Sequence, residues 1–212
     1  SLYDVKIERN RVYFGPMIGR RNILDIDTNK VRPTNLRDVE SLVRVADAMD
    51  TYRLLHSGAI MPHIEWVPDR IAHAKGYFVS IKNTSKVVKA TARGSVRAKD
   101  CLRMAAVLAG SEDDLRKKPM TYTTVNPLSP LQLPLELTEG LIEYAKFKQP
   151  IDVASEVQAG ATGPVTLAGV LAQQNAEVLS GIVLVELVNP GAPVFYGTCS
   201  TIMDMRKGFI AL

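Results

Sequence analysis

The sequence predicts an α/β chain of the (β/α)8 TIM-barrel type, incomplete at about five parallel βα units and preceded by a small N-terminal β-hairpin appendage. Three observations predict it. Short β-type runs alternate with helical stretches from about residue 52 to residue 199, and that alternation is the mark of βα units. The connections between the runs are helix-length crossovers, which parallel pairing requires. No Gly-rich G-x-G-x-x-G turn follows the first strand, and each strand runs into a polar or Gly/Pro-rich loop, as on the catalytic face of a barrel. Five strands do not close an eight-stranded barrel. The chain is therefore expected to be a portion that stops, at GFIAL, about three βα units short.

The elements follow in order. Residues 1–34 hold two alternating segments, VKIERNRVYFG and NILDIDTNKVRPT, with turns at Arg9-Asn10 and at Thr28-Asn29-Lys30; they form the appendage, and its strands are expected to stay out of the parallel sheet. The barrel portion is assigned to residues 35–212. Thr34 stands where an N-cap belongs, and Leu36, Val39, Leu42, Val43 and Ala46 follow at helical spacing, so a first helix is predicted to about Met49. Strands are predicted at 52–56, 86–92, 120–125, 151–156 and 193–199, and helices at 68–82, 96–108, 134–147 and 164–188. Pro68, Pro134 and Pro164 suit a helix's first turn, and the Val, Ile, Thr and Tyr of the runs suit strands covered by helices.

Composition narrows the function classes. With 46% hydrophobic and 23% charged residues the chain is an ordinary globular sequence, neither disordered nor fibrous. Its net charge of +4 comes from 26 basic and 22 acidic residues that are interspersed, and Arg20-Arg21 and Lys117-Lys118 are short clusters without aromatic interleaving, so no nucleic-acid partner is expected. Cys101 and Cys199 are the only cysteines; they form no ligand spacing and suit a reduced, cytoplasmic compartment. The start SLYDVKIERN has no secretory apolar core. No membrane partner is expected either, because the apolar stretch 165–188 carries Gln173, Gln174, Asn175, Glu177 and Glu186 and is predicted as a buried core helix. His56, His63 and His73 fall at no H-E-x-x-H spacing, so no metal is assigned.

Several blocks in order carry a resemblance. GAT-x-PVTLAG opens the last long helix, QNAEVL-x-G forms its middle and NPGAPV-x-YG the strand after it. Upstream stand NPLSPLQL, MAA-x-LAGSED-x-LR-x-KP, NILDIDT and VRPT. Together, over nearly all 212 residues, they resemble the trimethylamine methyltransferase family, and the portion resembled is the amino-terminal to middle part of that family's barrel. The resemblance implies a (β/α)8 barrel and a cytoplasmic methyltransferase that moves a methyl group from a quaternary or tertiary methylated amine, such as glycine betaine or trimethylamine, to the Co(I) corrinoid of a partner protein. The cobalamin is carried by that partner and not by this chain, and a homo-oligomer is expected. Some members use pyrrolysine, at a position that falls beyond Leu212. The likeness of MTYTTVNPLSPLQL to members without it favours a quaternary amine. Two other readings stay open: a non-catalytic betaine-binding barrel, and an inactive fragment of the enzyme.

Methyl transfer from such an amine to Co(I) needs little proton chemistry, so positioning should dominate: aromatic faces for the cation, polar donors for a carboxylate, an open mouth for the corrinoid. Barrels put such groups at the carboxyl ends of strands. His56 ends the first strand. Arg93, after the second, pairs with a substrate carboxylate or with a neighbouring loop. Asn126 and Ser129, in VNPLSPLQ, are polar substrate contacts or turn formers in a stiff loop. Glu156 ends the fourth strand and faces the ammonium or an ordinary basic side chain. Thr162 sits in the GATGP turn, whose N–H groups form an anion site for a betaine carboxylate or simply a capped βα turn. Tyr196 and Thr198 share one face of the fifth strand and Phe195 takes the other; Tyr196 is the cation–π candidate, with a satisfied core tyrosine as the alternative. Trp66 caps an ammonium or anchors its loop. The polar residues of the last helix are expected to tie it to the strands.

Overall fold

The computed structural model describes residues 4–8, 10–18, 21–56 and 67–211. His63 and Trp66 lie outside the described residues. The chain divides into two compact units, residues 1–91 with 97–122 and residues 92–96 with 123–212.

In the first unit, β1 (Asn22–Asp25) and β2 (Lys30–Pro33) pair antiparallel with Asp25 opposite Lys30. The turn is closed by the Asp25 carboxylate, which accepts from the Asp27 and Thr28 N–H groups at 3.1 and 2.9 Å. Among the described residues the first alternating segment pairs in no antiparallel ladder, although the Arg11 N–H donates to the Glu8 carbonyl at 3.3 Å across the expected turn. Residues of the 5–15 segment instead lead into a stretch running parallel beside 52–56, with bridges Phe14 to Tyr52 and Met17 to His56, and with the N–H of Ile18 donating to the His56 carbonyl at 2.7 Å. An exposed strand edge offers unpaired donors and acceptors, and this stretch satisfies them.

Helix α1 (Leu36–Ala48) is capped by Asn35, not by Thr34: the Asn35 side chain accepts from Arg37 and Asp38, and Asp38 returns the bond to the Asn35 N–H. This reciprocal arrangement satisfies two otherwise orphaned donors, and Arg32 clamps Asp38 at 2.6 Å. Thr34 is buried, its N–H spent on the Arg21 carbonyl. Val39, Val43 and Ala46 of α1 join Leu55 of β3 (Leu54–Leu55) and Ala72 of α2 (Asp69–Lys82) in one apolar cluster. β4 (Val87–Lys89), α3 (Ser95–Ala109) and a short helix absent from the prediction, α4 (Glu112–Lys117), follow. Gly110 at φ 103° lets the chain break between these helices, and the Ser111 side chain caps the second by accepting from Asp114.

β5 (Thr121–Val125) leads through the loop to α5 (Leu135–Lys146), and β6 (Ile151–Ser155) to β7 (Gln158–Ala159) and α6 (Leu167–Val188). β8 (Val194–Thr198), β9 (Thr201–Asp204) and β10 (Phe209–Ala211) close the described chain. Strands β3, β4, β5, β6 and β8 form one sheet in that order, each neighbour parallel. The five expected strands are all there, each within its predicted range. A separate three-stranded sheet, β10-β9-β7, was not anticipated.

Two expectations for α6 are corrected. The helix begins at Leu167 with Thr166 as its cap, so Pro164 lies before it rather than in its first turn. It is also half-buried rather than a core helix. Val170, Gln174, Glu177, Val178, Gly181 and Val185 are buried, while Leu167, Leu171, Val183 and Leu187 are exposed. By length and composition alone α6 could cross a membrane, but its buried face carries a glutamate held by protein donors. Gly181 permits the close approach: a Cβ there would stand 2.7 Å from Cγ1 of Val153 on β6.

Candidate functional site

Which face of the sheet the helices cover decides what each strand residue can do. Val153 meets Gly181 of α6, and Ser155 donates to Glu177 of α6 at 2.6 Å, so odd-numbered positions of β6 face the helix. On β8, Tyr196 and Thr198 take the same side: the Tyr196 hydroxyl donates to Asn175 Oδ1 at 3.3 Å, and the Thr198 hydroxyl to Gln174 Oε1 at 2.7 Å. Tyr196 and Thr198 do share a face, as the sequence predicted, but it is the face that looks onto α6. Phe195 takes the opposite one.

The polar residues of α6 form a row that ties down the loops beyond the strands. Gln173 Nε2 donates to the Thr162 carbonyl at 3.0 Å and to Glu177 at 2.9 Å. The Glu177 carboxylate is 2% exposed and also accepts from the Ser129 hydroxyl at 2.8 Å and the Leu131 N–H at 3.0 Å. Burial pushes its pKa up, yet the donors from Leu131, Ser155, Gln173 and Ser129 outweigh that and hold it below the ordinary value. Thus Ser129, Thr162, Tyr196 and Thr198 each bond to a side chain of α6. The expected tie between helix and strands is what the structure contains.

The remaining candidates stand as follows. Asn126 Nδ2 donates to the Ala154 carbonyl at 2.9 Å, which joins the ends of β5 and β6. Glu156 is exposed and has no ion pair among the described residues. Arg93 lines a pocket of about 360 Å³ with Pro134, Leu135, Glu136 and Leu137, a group that includes none of the other candidates. The GATGP turn does not offer an anion site. The N–H groups of Ala161, Thr162 and Gly163 all turn back onto the Gln158 carbonyl, and that of Gly160 goes to the Gly163 and Pro164 carbonyls. Thr162 does not cap α6; its hydroxyl accepts from the Gln158 N–H.

His56 belongs to the first unit. Its ring meets Tyr122 edge to face, centroids 5.6 Å apart, and its Nδ1 is buried with no hydrogen-bond partner among the described residues. Burial first, and the charge of Lys89 second, lower its pKa to about 4, so the imidazole is neutral at pH 7.

On the face of β5, β6 and β8 turned away from α6 lies a group the sequence reading missed. Thr124 of β5 donates to Asp152 of β6 at 3.2 Å, and Asp152 stands opposite Phe195 of β8 in the ladder. The only sequence cue was the alternation itself, since Asp152 and Phe195 have the opposite parity to Ser155 and Tyr196 in paired strands.

Comparisons with known proteins give these residues their context. The family model described as "Trimethylamine methyltransferase (MTTB)" matches residues 2–212. The chain is similar to the glycine betaine methyltransferase of Desulfitobacterium hafniense (strain Y51), 38% identical over 99% of this chain and 43% of that protein. It is also similar to the trimethylamine methyltransferase MttB of Desulfitobacterium hafniense (strain DSM 10664 / DCB-2), 38% identical over 96% of this chain and 40% of that protein. Trimethylamine methyltransferase MttB2 of Methanosarcina mazei is 45% identical over 49% of this chain and 21% of its own length. The chain spans less than half the length of these relatives. With the family's model matched along almost its entire length, the chain belongs to the trimethylamine methyltransferase family.

Proposed function

We propose that the complete protein is a methyltransferase that takes a methyl group from a methylated amine, with a quaternary compound such as glycine betaine favoured, and passes it to the Co(I) corrinoid of a partner protein in the cytoplasm. The observation that carries this reading is the family match along residues 2–212. The similar proteins are named for glycine betaine and for trimethylamine, and both compounds offer an N–CH3 group. In the transfer the C–N bond breaks and its electron pair stays on nitrogen, so a quaternary donor leaves as a neutral tertiary amine. No side chain has to move a proton for that. The protein's share is to orient the donor and to keep the strand ends rigid. The bonds from Ser129, Leu131, Ser155 and Gln173 to Glu177 supply that rigidity in the second unit.

The same reading extends the parallel sheet to a closed (β/α)8 barrel in the complete protein, where strand ends form the mouth that a corrinoid carrier would meet. The test is direct. The complete protein is mixed with a corrinoid protein reduced to Co(I) and with glycine betaine or trimethylamine in turn, and the demethylated amine is measured. Formation of dimethylglycine or dimethylamine, dependent on both proteins, is the expected outcome. Tight betaine binding without demethylation would replace the reading by a betaine-binding barrel.

A further inference from the structure

We propose that α6 is the centre of a contact between two copies of this protein, its outward stripe packing antiparallel against the same stripe of a second copy across a two-fold axis. The inference does not depend on the reaction.

α6 is apolar nearly all round; it has no lysine or arginine, and its only charged residues are Glu177, buried against the sheet, and Glu186. A helix apolar on two opposite faces is covered on both. One face meets β6 through Gly181 and Glu177. On the other stand Ala168, Ala172, Ala176, Leu179, Val183 and Leu187, at the three- and four-residue spacing of one helical stripe. All six are exposed, Leu187 to 78%. In a ring of βα units the neighbouring helices take a helix's flanks, so this stripe looks outward.

The order of side chains along the stripe selects the occupant. Its amino half carries only alanines and its carboxyl half only leucine and valine. A two-fold contact sets a surface against itself and so requires self-complementarity. Reversed about a point between Glu177 and Val178, the stripe sets Ala168 opposite Leu187, Ala172 opposite Val183 and Ala176 opposite Leu179 of the second copy. Every small side chain then meets a large one in a single register, as facing layers do when they interdigitate. No partner other than a second copy imposes that symmetry. Charge agrees: no stripe residue is charged, and the two Glu186 carboxylates stand about 25 Å apart along the helices, beyond the screening length of about 8 Å. The stripe is about 30 Å long and about 10 Å wide, so it presents about 300 Å² per copy, a fitting apolar centre for a stable interface of about 800 Å² per partner.

The experiment is sedimentation equilibrium of the complete protein from nanomolar to micromolar concentration, with each variant checked for folding by circular dichroism. Wild type should associate as a dimer or a multiple of one. Leu179→Glu brings two carboxylates together near the axis and should raise the dissociation constant of this contact at least about 100-fold. Ala176→Leu overfills the contact and Leu179→Ala leaves a gap, and each should weaken association by about 10-fold or more. Ala176→Leu combined with Leu179→Ala exchanges the small and large partners and should restore association to near wild type, a recovery that a loss of helix stability would not give. A monomeric wild type, an association untouched by a folded Leu179→Glu, or a double variant no better than either single one overturns the proposal. Maleimide labelling of Leu179→Cys then identifies the cover that α6 has instead. Protection in the free monomer means a later segment of the same chain, and protection only on addition of phosphatidylcholine vesicles means a membrane.

Discussion

A buried carboxylate ordinarily titrates upward, because burial penalises its charge; Glu177 titrates downward because Leu131, Ser155, Gln173 and Ser129 all donate to it. Its charge therefore stabilises the folded state at pH values above the ordinary glutamate value of about 4.3, and that contribution is lost as pH falls through the depressed folded value. Glu177→Gln sets an amide N–H against these donors and should cost roughly 2–4 kcal/mol at pH 7. Denaturant titration of both proteins should show the gap narrowing only below about pH 4.3; a gap that is unchanged there would mean the charge is not what matters. His56 makes the opposite kind of case, a base kept neutral by burial and by Lys89 at a pKa of about 4. Between the ordinary histidine value of about 6.5 and the folded one, acidification protonates the unfolded chain first and draws stability down. NMR titration of the His56 imidazole should give a midpoint near 4, and His56→Gln should lessen the stability lost over that window. A midpoint near 6.5 would contradict the burial of this ring.

At the level of elements, α6 and β6 depend on one close approach, Gly181 against the fully buried Val153. Alanine is the better helix former by about 1 kcal/mol. Yet a Cβ at 181 would lie 2.7 Å from a methyl of a β-branched side chain that has little freedom to move, and overpacking of this kind costs about 1–3 kcal/mol. Gly181→Ala should therefore destabilise by about 1 kcal/mol. In a Val153→Ala background, where the obstructing methyls are gone, the same substitution should stabilise instead. Thermal unfolding of the four proteins of this double-mutant cycle measures the change of sign. Additive effects would show that helix and strand do not meet there. Element boundaries follow the same logic of local donors. Thr34 was the expected cap of α1, but Asn35 takes the place because Asp38, three residues on, can answer it.

At the scale of the whole chain, β8 pairs with β6 on one side and, among the described residues, with no strand of the parallel sheet on the other. The proposed barrel requires a strand from beyond residue 212 to pair parallel with β8 in the complete protein, and a crystal structure of that protein would show it. An edge left open or paired antiparallel would reject closure. The sequence by itself determined that β3, β4, β5, β6 and β8 pair parallel, because strand-helix alternation leaves a chain few other ways to pair; their order in the sheet came from the structure. It determined family membership through blocks such as GAT-x-PVTLAG and NPGAPV-x-YG. It also fixed that Tyr196 and Thr198 share a face, since side chains alternate along any strand. Only the tertiary structure decided which face that is. Periodicity is blind to the side on which a helix lands, and α6 lands on the side of Ser155, Tyr196 and Thr198. Nor does local sequence foretell long-range partners: Glu177 gathers donors from Ser129 and Leu131, 48 and 46 positions away. These bonds form only once packing has brought the groups together and removed the water that would otherwise satisfy them.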